Sequence, residues 1–159
     1  MTRKEQYNQL ILQIAGLIKD ETNLVGILAN VSAALHDTFP ERFFWVGFYL
    51  QENGNMLRLG PFQGSVACYV IPFGKGVCGK AWEEGCTLIV PDVEKFPGHI
   101  ACSSLSRSEI VVPMYDDSHT FRGVLDIDNT RLNDFNEDDK EGLERIIELL
   151  MAETHDLFQ

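Results

Sequence analysis

Apolar residues recur at three- and four-residue steps near both ends of the chain and at two-residue steps between them. Tyr7, Leu10, Ile11, Ile14, Leu17 and Ile18 share one stripe of a 3.6-residue period, which predicts an amphipathic helix. After a polar break at 20–23 the spacing returns in Leu24, Ile27, Leu28, Val31 and Leu35 and predicts a second helix. The last helix is marked most fully. Asn136 suits an N-cap, Glu137, Asp138 and Asp139 suit the positive end of the helix dipole, and Leu143, Ile146, Ile147 and Leu150 form the stripe. In the middle of the chain, residues 43–50 (FFWVGFYL) read as a strand, 52–55 as a turn and 56–60 as a second strand. Residues 87–90, 109–115 and 123–128 read as further strands, and YDDSHTFRG joins the last two as a hairpin, which favours antiparallel pairing. Residues 61–80 and 91–108, rich in Gly, Pro and Ser, read as long connections, and such segments tend to carry function. The expected architecture is α+β, in a single domain over 1–159. A central antiparallel sheet carries the N- and C-terminal helices on one face, and loops cover a ligand pocket on the other.

Splitting each strand into its two faces sharpens this picture, because neighbouring side chains point to opposite sides. Phe44, Val46, Phe48 and Leu50 oppose Phe43, Trp45, Gly47 and Tyr49; Ile110, Val112 and Met114 oppose Glu109, Val111 and Pro113; Leu125 and Ile127 oppose Val124, Asp126 and Asp128. Each strand thus offers one apolar face to the helices, while the other faces carry Trp45, Tyr49, Glu109, Asp126 and Asp128. Half-exposed antiparallel strands ordinarily turn such carboxylates to solvent. If the long connections cover that face instead, three acids beside two large aromatics form a concave site for a small ligand bearing positive charge. Asp126 and Asp128 repel each other at i, i+2, so a ligand ammonium, a shared proton or a metal would offset their pairing.

Charge narrows the partners. The formal net charge of -11 and the scattering of Lys and Arg argue against a nucleic acid or an anionic membrane. The N-terminal segment lacks the apolar core of a signal peptide, and no stretch approaches the length of a membrane span, so a cytoplasmic location is expected. Cysteines in such a chain are more often reduced, catalytic or metal-binding than structural disulfides. No C-x2-C pair is present, so neither a metal nor a cofactor is expected. Cys86 leads into an apolar strand and is expected to be a small buried hydrophobe. Cys68, Cys78 and Cys102 fall in the long connections, where His99, Arg107 or a helix start could lower a thiol pKa. Several thiols over one pocket point to nucleophilic attack, a sulfenic acid and then a disulfide, although spacing alone leaves a structural role open for each.

Four stretches, WVGFYL, VIPFGKGVCGKAW, VPDVEKFPGHIACSSLSRSEIVVPM and GVLDIDN, together resemble the GAF-domain family of free methionine-R-sulfoxide reductases, in order and over nearly the whole chain. The resemblance implies a GAF-like fold and reduction of free L-methionine (R)-S-oxide, not of the oxidised residue inside proteins, with thioredoxin as the recycling reductant. It further implies that Cys102 is the attacking thiol, Cys68 the main resolving thiol and Cys78 a second thiol able to form an alternative disulfide. Glu109, Asp126 and Asp128 would hold the substrate ammonium and polarise its S–O group, and Trp45 and Tyr49 would line the S-methyl end. Related GAF domains often form homodimers through their terminal helices. The implied chemistry is consistent: a sulfoxide sulfur becomes electrophilic when its oxygen is protonated, and a buried carboxyl with a raised pKa can supply that proton.

Two other readings remain. GAF domains also serve as non-catalytic small-molecule sensors, but three acids are a poor lining for a nucleotide phosphate, and 159 residues leave no room for a fused output domain. A thiol redox switch would use the cysteines but would not need Glu109, Asp126 or Asp128.

Overall fold

The computed structural model describes residues 1–158. Helices α1 (Arg3–Ile18) and α2 (Leu24–Thr38) open the chain, each held at its start by a side chain: Thr2 accepts from the Glu5 amide and Asn23 from the Gly26 amide. Strands β1 (Trp45–Glu52), β2 (Met56–Gln63) and β3 (Val70–Pro72) follow, then helix α3 (Gly76–Glu84) and strands β4 (Leu88–Val90), β5 (Ser108–Tyr115) and β6 (Phe121–Asn129). Helix α4 (Glu137–Thr154) begins at Asn136, whose side chain accepts from the Asp138 and Asp139 amides, as its sequence predicts. The six strands form one sheet in the order β3-β2-β1-β6-β5-β4, and every neighbouring pair is antiparallel.

The sheet separates two apolar layers. On one side Val46, Phe48, Ile110, Val112, Met114, Leu125 and Ile127 pack beneath the stripes of α1, α2 and α4. On the other, Trp45, Tyr49, Val111 and Val124 meet Leu57, Ile71, Val77 and Ala81. The expected face assignments hold from Trp45 onward. Phe43 and Phe44 are exchanged, because both precede the first paired residue: Phe43 joins the helix layer and Phe44 the opposite one. Among the described residues no helix is long and apolar enough to cross a membrane.

Residues 61–80 are not the open connection expected. β2 runs to Gln63, β3 adds an edge strand, and α3 starts at Gly76, so Cys78 sits in the first turn of a helix. Glycines at 76 and 79 hid this helix from the sequence, since glycine weakens helix interiors. A side chain at Gly79 would place its Cβ only 2.5 Å from the Pro72 carbonyl oxygen, so glycine is what lets α3 lie against the chain leaving β3. The helix ends at Gly85 in the left-handed conformation (φ 69°).

A buried ionic knot fastens the ends of the chain. Asp139, inaccessible to solvent, accepts from Tyr7 Oη (2.7 Å), Arg3 Nη1 (2.9 Å) and both terminal nitrogens of Arg42 (3.1 and 3.0 Å). Arg42 Nε also donates to Asp134 (3.0 Å). Deleting one partner of such a set strands the others without water. Asp139→Ala is therefore expected to lose about 3–5 kcal/mol of stability. Urea unfolding with an unchanged m-value measures it, and a loss below about 1 kcal/mol, the scale of a surface pair, would show that the knot is a surface-like contact.

Candidate active site

Strand register assembles the acidic floor. Glu109 on β5 lies opposite Asp128 on β6, and Val111 lies opposite Asp126. Across β1 and β6, Trp45 lies opposite Asp128 and Gly47 opposite Asp126. Side chains facing each other across antiparallel strands stand about 4.5–5.5 Å apart at Cβ, so three carboxyls and an indole converge on one face. Two of the carboxyls do not reach solvent as ordinary half-exposed strands would have them do: Glu109 and Asp126 are each only 5% exposed, while Asp128 is half-buried.

Helix α3 and two loops roof this floor. The pocket is lined by Trp45, Tyr49, Cys78, Glu109, Asp126 and Asp128 together with Gly76 and Val77 of α3 and His99, Cys102, Ser103 and Ser106 of the loop before β5. It encloses about 530 Å³ of empty space including its mouth. Trp45 stacks on Phe62 (5.0 Å between ring centroids) and donates through Nε1 to the Ser65 carbonyl oxygen (3.0 Å). The Tyr49 hydroxyl donates to the Cys68 carbonyl oxygen (3.0 Å). The two aromatics thus form a wall and also hold the 64–69 segment in place.

Burial dominates the electrostatics. It pushes Glu109 well above the usual carboxylate range, and the charges of Asp126 and Asp128 push it further. Asp128 is raised well above its ordinary value by burial and then by Asp126. Asp126 is raised by burial too, but hydrogen bonds from Glu109 and Cys78 and the charge of His99 oppose the rise. Asp126 is therefore the least raised of the three carboxyls, and Glu109 and Asp128 are the more strongly disposed to keep a proton. Asp126 Oδ1 is buried without a hydrogen-bond partner, an oxygen in want of a cation or donor. Burial and the three acids raise the Cys78 thiol well above its ordinary value, so Cys78 is a proton-bearing neighbour of Asp126 rather than a thiolate. Burial lowers His99, with Asp126 countering, and His99 Nε2 lies 3.8 Å from Glu109 Oε1.

Cys68 and Cys102 are joined by a disulfide between Cα atoms 5.6 Å apart. Cys86 is exposed rather than buried: Gly85 ends α3, and Cys86 falls in the turn before β4 begins at Leu88.

Models of known protein families give no match to the chain. Individual proteins do. It is 56% identical over 149 residues to GAF domain-containing protein A of Dictyostelium discoideum, spanning 94% of this chain and 92% of that protein. It is 43% identical to the free methionine-R-sulfoxide reductase of Saccharomyces cerevisiae, over 94% of this chain and 86% of that protein. Its fold matches the X-ray structure of the Neisseria meningitidis free methionine-R-sulfoxide reductase, solved with its substrate, with a TM-score of 0.93. That match is at 46% identity and covers 98% of this chain and 92% of that one. The chain belongs to the free methionine-R-sulfoxide reductase family.

Within this reductase fold every site residue expected from the sequence lines the pocket except Cys68, which reaches it only through its bond to Cys102. Cys78 lines it as a buried helical residue, not as a loop thiol. Of the groups that could lower a thiol pKa, His99 lines the pocket with Cys102 and also stands 3.8 Å from Glu109, whereas Arg107 is exposed and does not line it. Ser103, Ser106 and the start of α3 went unpredicted. The serines flank Cys102 in the segment that carries the family resemblance, but an irregular loop has no period from which to read direction.

Proposed function

We propose that this member of the family reduces free methionine (R)-sulfoxide to methionine, using Cys102 as nucleophile and Cys68 as resolving thiol. The carboxyl of Glu109 hydrogen-bonds the sulfoxide oxygen and passes it a proton as the Cys102 sulfur attacks. The substrate S–O bond breaks, its oxygen passes to the Cys102 sulfur as a sulfenic acid and methionine departs; the Cys68 thiol then displaces that oxygen as water, leaving the disulfide. A dithiol protein of the thioredoxin type then supplies two electrons and two protons to restore both thiols. Asp126, the least raised of the trio, takes the substrate ammonium through the oxygen that is otherwise unpartnered. An oxidised residue inside a protein lacks that ammonium and leaves the oxygen orphaned, which disfavours it strongly. Trp45 and Tyr49 enclose the methyl end. Cys78 is the slower, second resolving thiol, because burial and the neighbouring acids push its pKa up. We place the reaction in the cytoplasm, where thioredoxin systems keep such thiols reduced.

The observation that carries this reading is the Cys68–Cys102 bond at a buried pocket floored by Glu109, Asp126 and Asp128, whose carboxyls burial raises above their ordinary values. Thioredoxin-coupled consumption of methionine sulfoxide tests it. The free R epimer is expected to turn over, the S epimer and N-acetylmethionine sulfoxide not. After one equivalent of substrate without reductant, mass spectrometry should find the loss of two hydrogens and a Cys68–Cys102 linked peptide. No turnover of the free R epimer, or turnover of the acetylated compound at a similar rate, refutes the assignment.

A further inference from the structure

An external thiol that reopens the Cys68–Cys102 bond must strike one sulfur and expel the other, and the two half-cystines differ in three respects. The first is access: Cys102 is exposed and Cys68 half-buried. The second is anchoring. The Cys68 carbonyl is held by Tyr49, the next carbonyl, of Tyr69, accepts from the Leu59 amide of β2 (2.9 Å), and β3 starts immediately after. Around Cys102 the main-chain hydrogen bonds stop at His99, whose amide donates to Phe96 (3.2 Å), and resume at Arg107, whose amide donates to Asn129 (2.8 Å). Between them one amide, of Leu105, is held by the Ser103 hydroxyl (3.2 Å). The third is electrostatic. Cys102 lines the carboxyl pocket and Cys68 does not, so a thiolate left on Cys102 faces the three acids. The sulfur whose thiolate is better tolerated leaves faster.

We propose that the reductant attacks Sγ of Cys102 and that Cys68 is the leaving thiolate. This rests on the reading that a dithiol protein recycles the pair. The reductant thiolate forms a new S–S bond to Cys102 as the Cys68–Cys102 bond breaks; the electron pair of the broken bond leaves on Cys68, which takes a proton from solvent. The second reductant thiolate then attacks the reductant's own sulfur in the mixed disulfide. That closes the reductant disulfide and returns Cys102 as a thiolate, which is protonated in turn. Two electrons pass from the dithiol to the pair. Because Cys102 is loop-borne, it can carry the mixed disulfide outward while Cys68 stays fixed to the sheet. Exposed Val66 (88%), Tyr69 (78%) and Leu105 (58%), neighbours of the two half-cystines in sequence, offer apolar surface for a protein reductant to cover.

The oxidised protein is mixed with a thioredoxin whose second active-site cysteine is serine, quenched in acid within seconds, alkylated and mapped by peptide mass. Linkage to Cys102 is expected to exceed linkage to Cys68 by about tenfold or more, and predominant linkage to Cys68 overturns the proposal. A second measurement avoids rearrangement of the adduct. Cys68→Ser carrying nitrothiobenzoate on Cys102, and Cys102→Ser carrying it on Cys68, are each treated with reduced thioredoxin. Release from Cys102 is expected to be faster by about tenfold; equal or slower release overturns the proposal. If 2-mercaptoethanol adds to Cys102 while thioredoxin adds to neither cysteine, the site of attack stands and the protein-reductant reading fails.

Discussion

Cys102→Ser is expected to lower the rate of methionine formation from free methionine (R)-sulfoxide by at least about 10³-fold, as loss of a nucleophile commonly does. A serine hydroxyl is a far weaker nucleophile than a thiol, and a pocket lined by three acids opposes alkoxide formation still more. Nor can an oxygen at this position close the bond that joins Cys102 to Cys68. Cys68→Ser should behave differently. Its Cys102 can still attack, so a single-turnover experiment should yield one equivalent of methionine and stall as a sulfenic acid that dimedone captures. Multiple turnover then falls, while the first burst does not. Rapid-quench measurement of methionine separates attack from resolution. If Cys102→Ser keeps more than about a tenth of the wild-type rate, a loss far short of those recorded for nucleophiles, the nucleophile lies elsewhere.

Glu109→Gln is expected to lose about 10²–10⁴-fold in kcat, the range of a general acid, and yet to be more stable than the wild type at neutral pH. Burial and the two aspartates raise the native Glu109 carboxyl, whereas in the unfolded chain it ionises near the ordinary value of about 4.3. Between those two values the native state binds more protons than the unfolded state, so its stability falls as pH rises through that window. Below the window both states are protonated and the full stability is present. Glutamine removes the titration, so the urea midpoint of the variant should decline less than that of the wild type between pH 5 and pH 8. Each unit of upward shift removed is worth about 1.4 kcal/mol. A variant that unfolds in parallel with the wild type at both pH values would show that Glu109 is not held protonated by its surroundings. Loss of turnover with a gain in stability is the mark of a group kept for chemistry against the preference of the fold.

Much of the site could be read from the chain because strand geometry is a strict rule. The two-residue period put Glu109, Asp126, Asp128, Trp45 and Tyr49 on one face, and antiparallel register then brought them together. The helices at the two ends were legible from stripes and caps such as Asn136. The losses came where structure depends on tertiary contact. Helix α3 is short and glycine-bearing, and the close approach of Gly79 to Pro72 decides it, a contact that no local pattern encodes. Cys86 was misplaced because the apolar run after it suggested a buried lead-in to a strand starting at residue 87, whereas β4 starts at Leu88 and Cys86 lies in the exposed turn after Gly85. Phe43 and Phe44 show the same limit, since alternation starts only where pairing starts. Whether Asp126 would be buried could not be read at all, because that depends on the roof rather than on the strand.

The sheet works as a bulkhead between two compartments. The Asp139 knot and the helix stripes lie on one side, and the strained acids, Cys78 and Cys102 lie on the other. Electrostatic tension in the reactive chamber is thereby offset by a separate reserve of cohesion. A substitution that repacks the helix layer of this chain can therefore leave untouched the chamber where the sulfur chemistry is done.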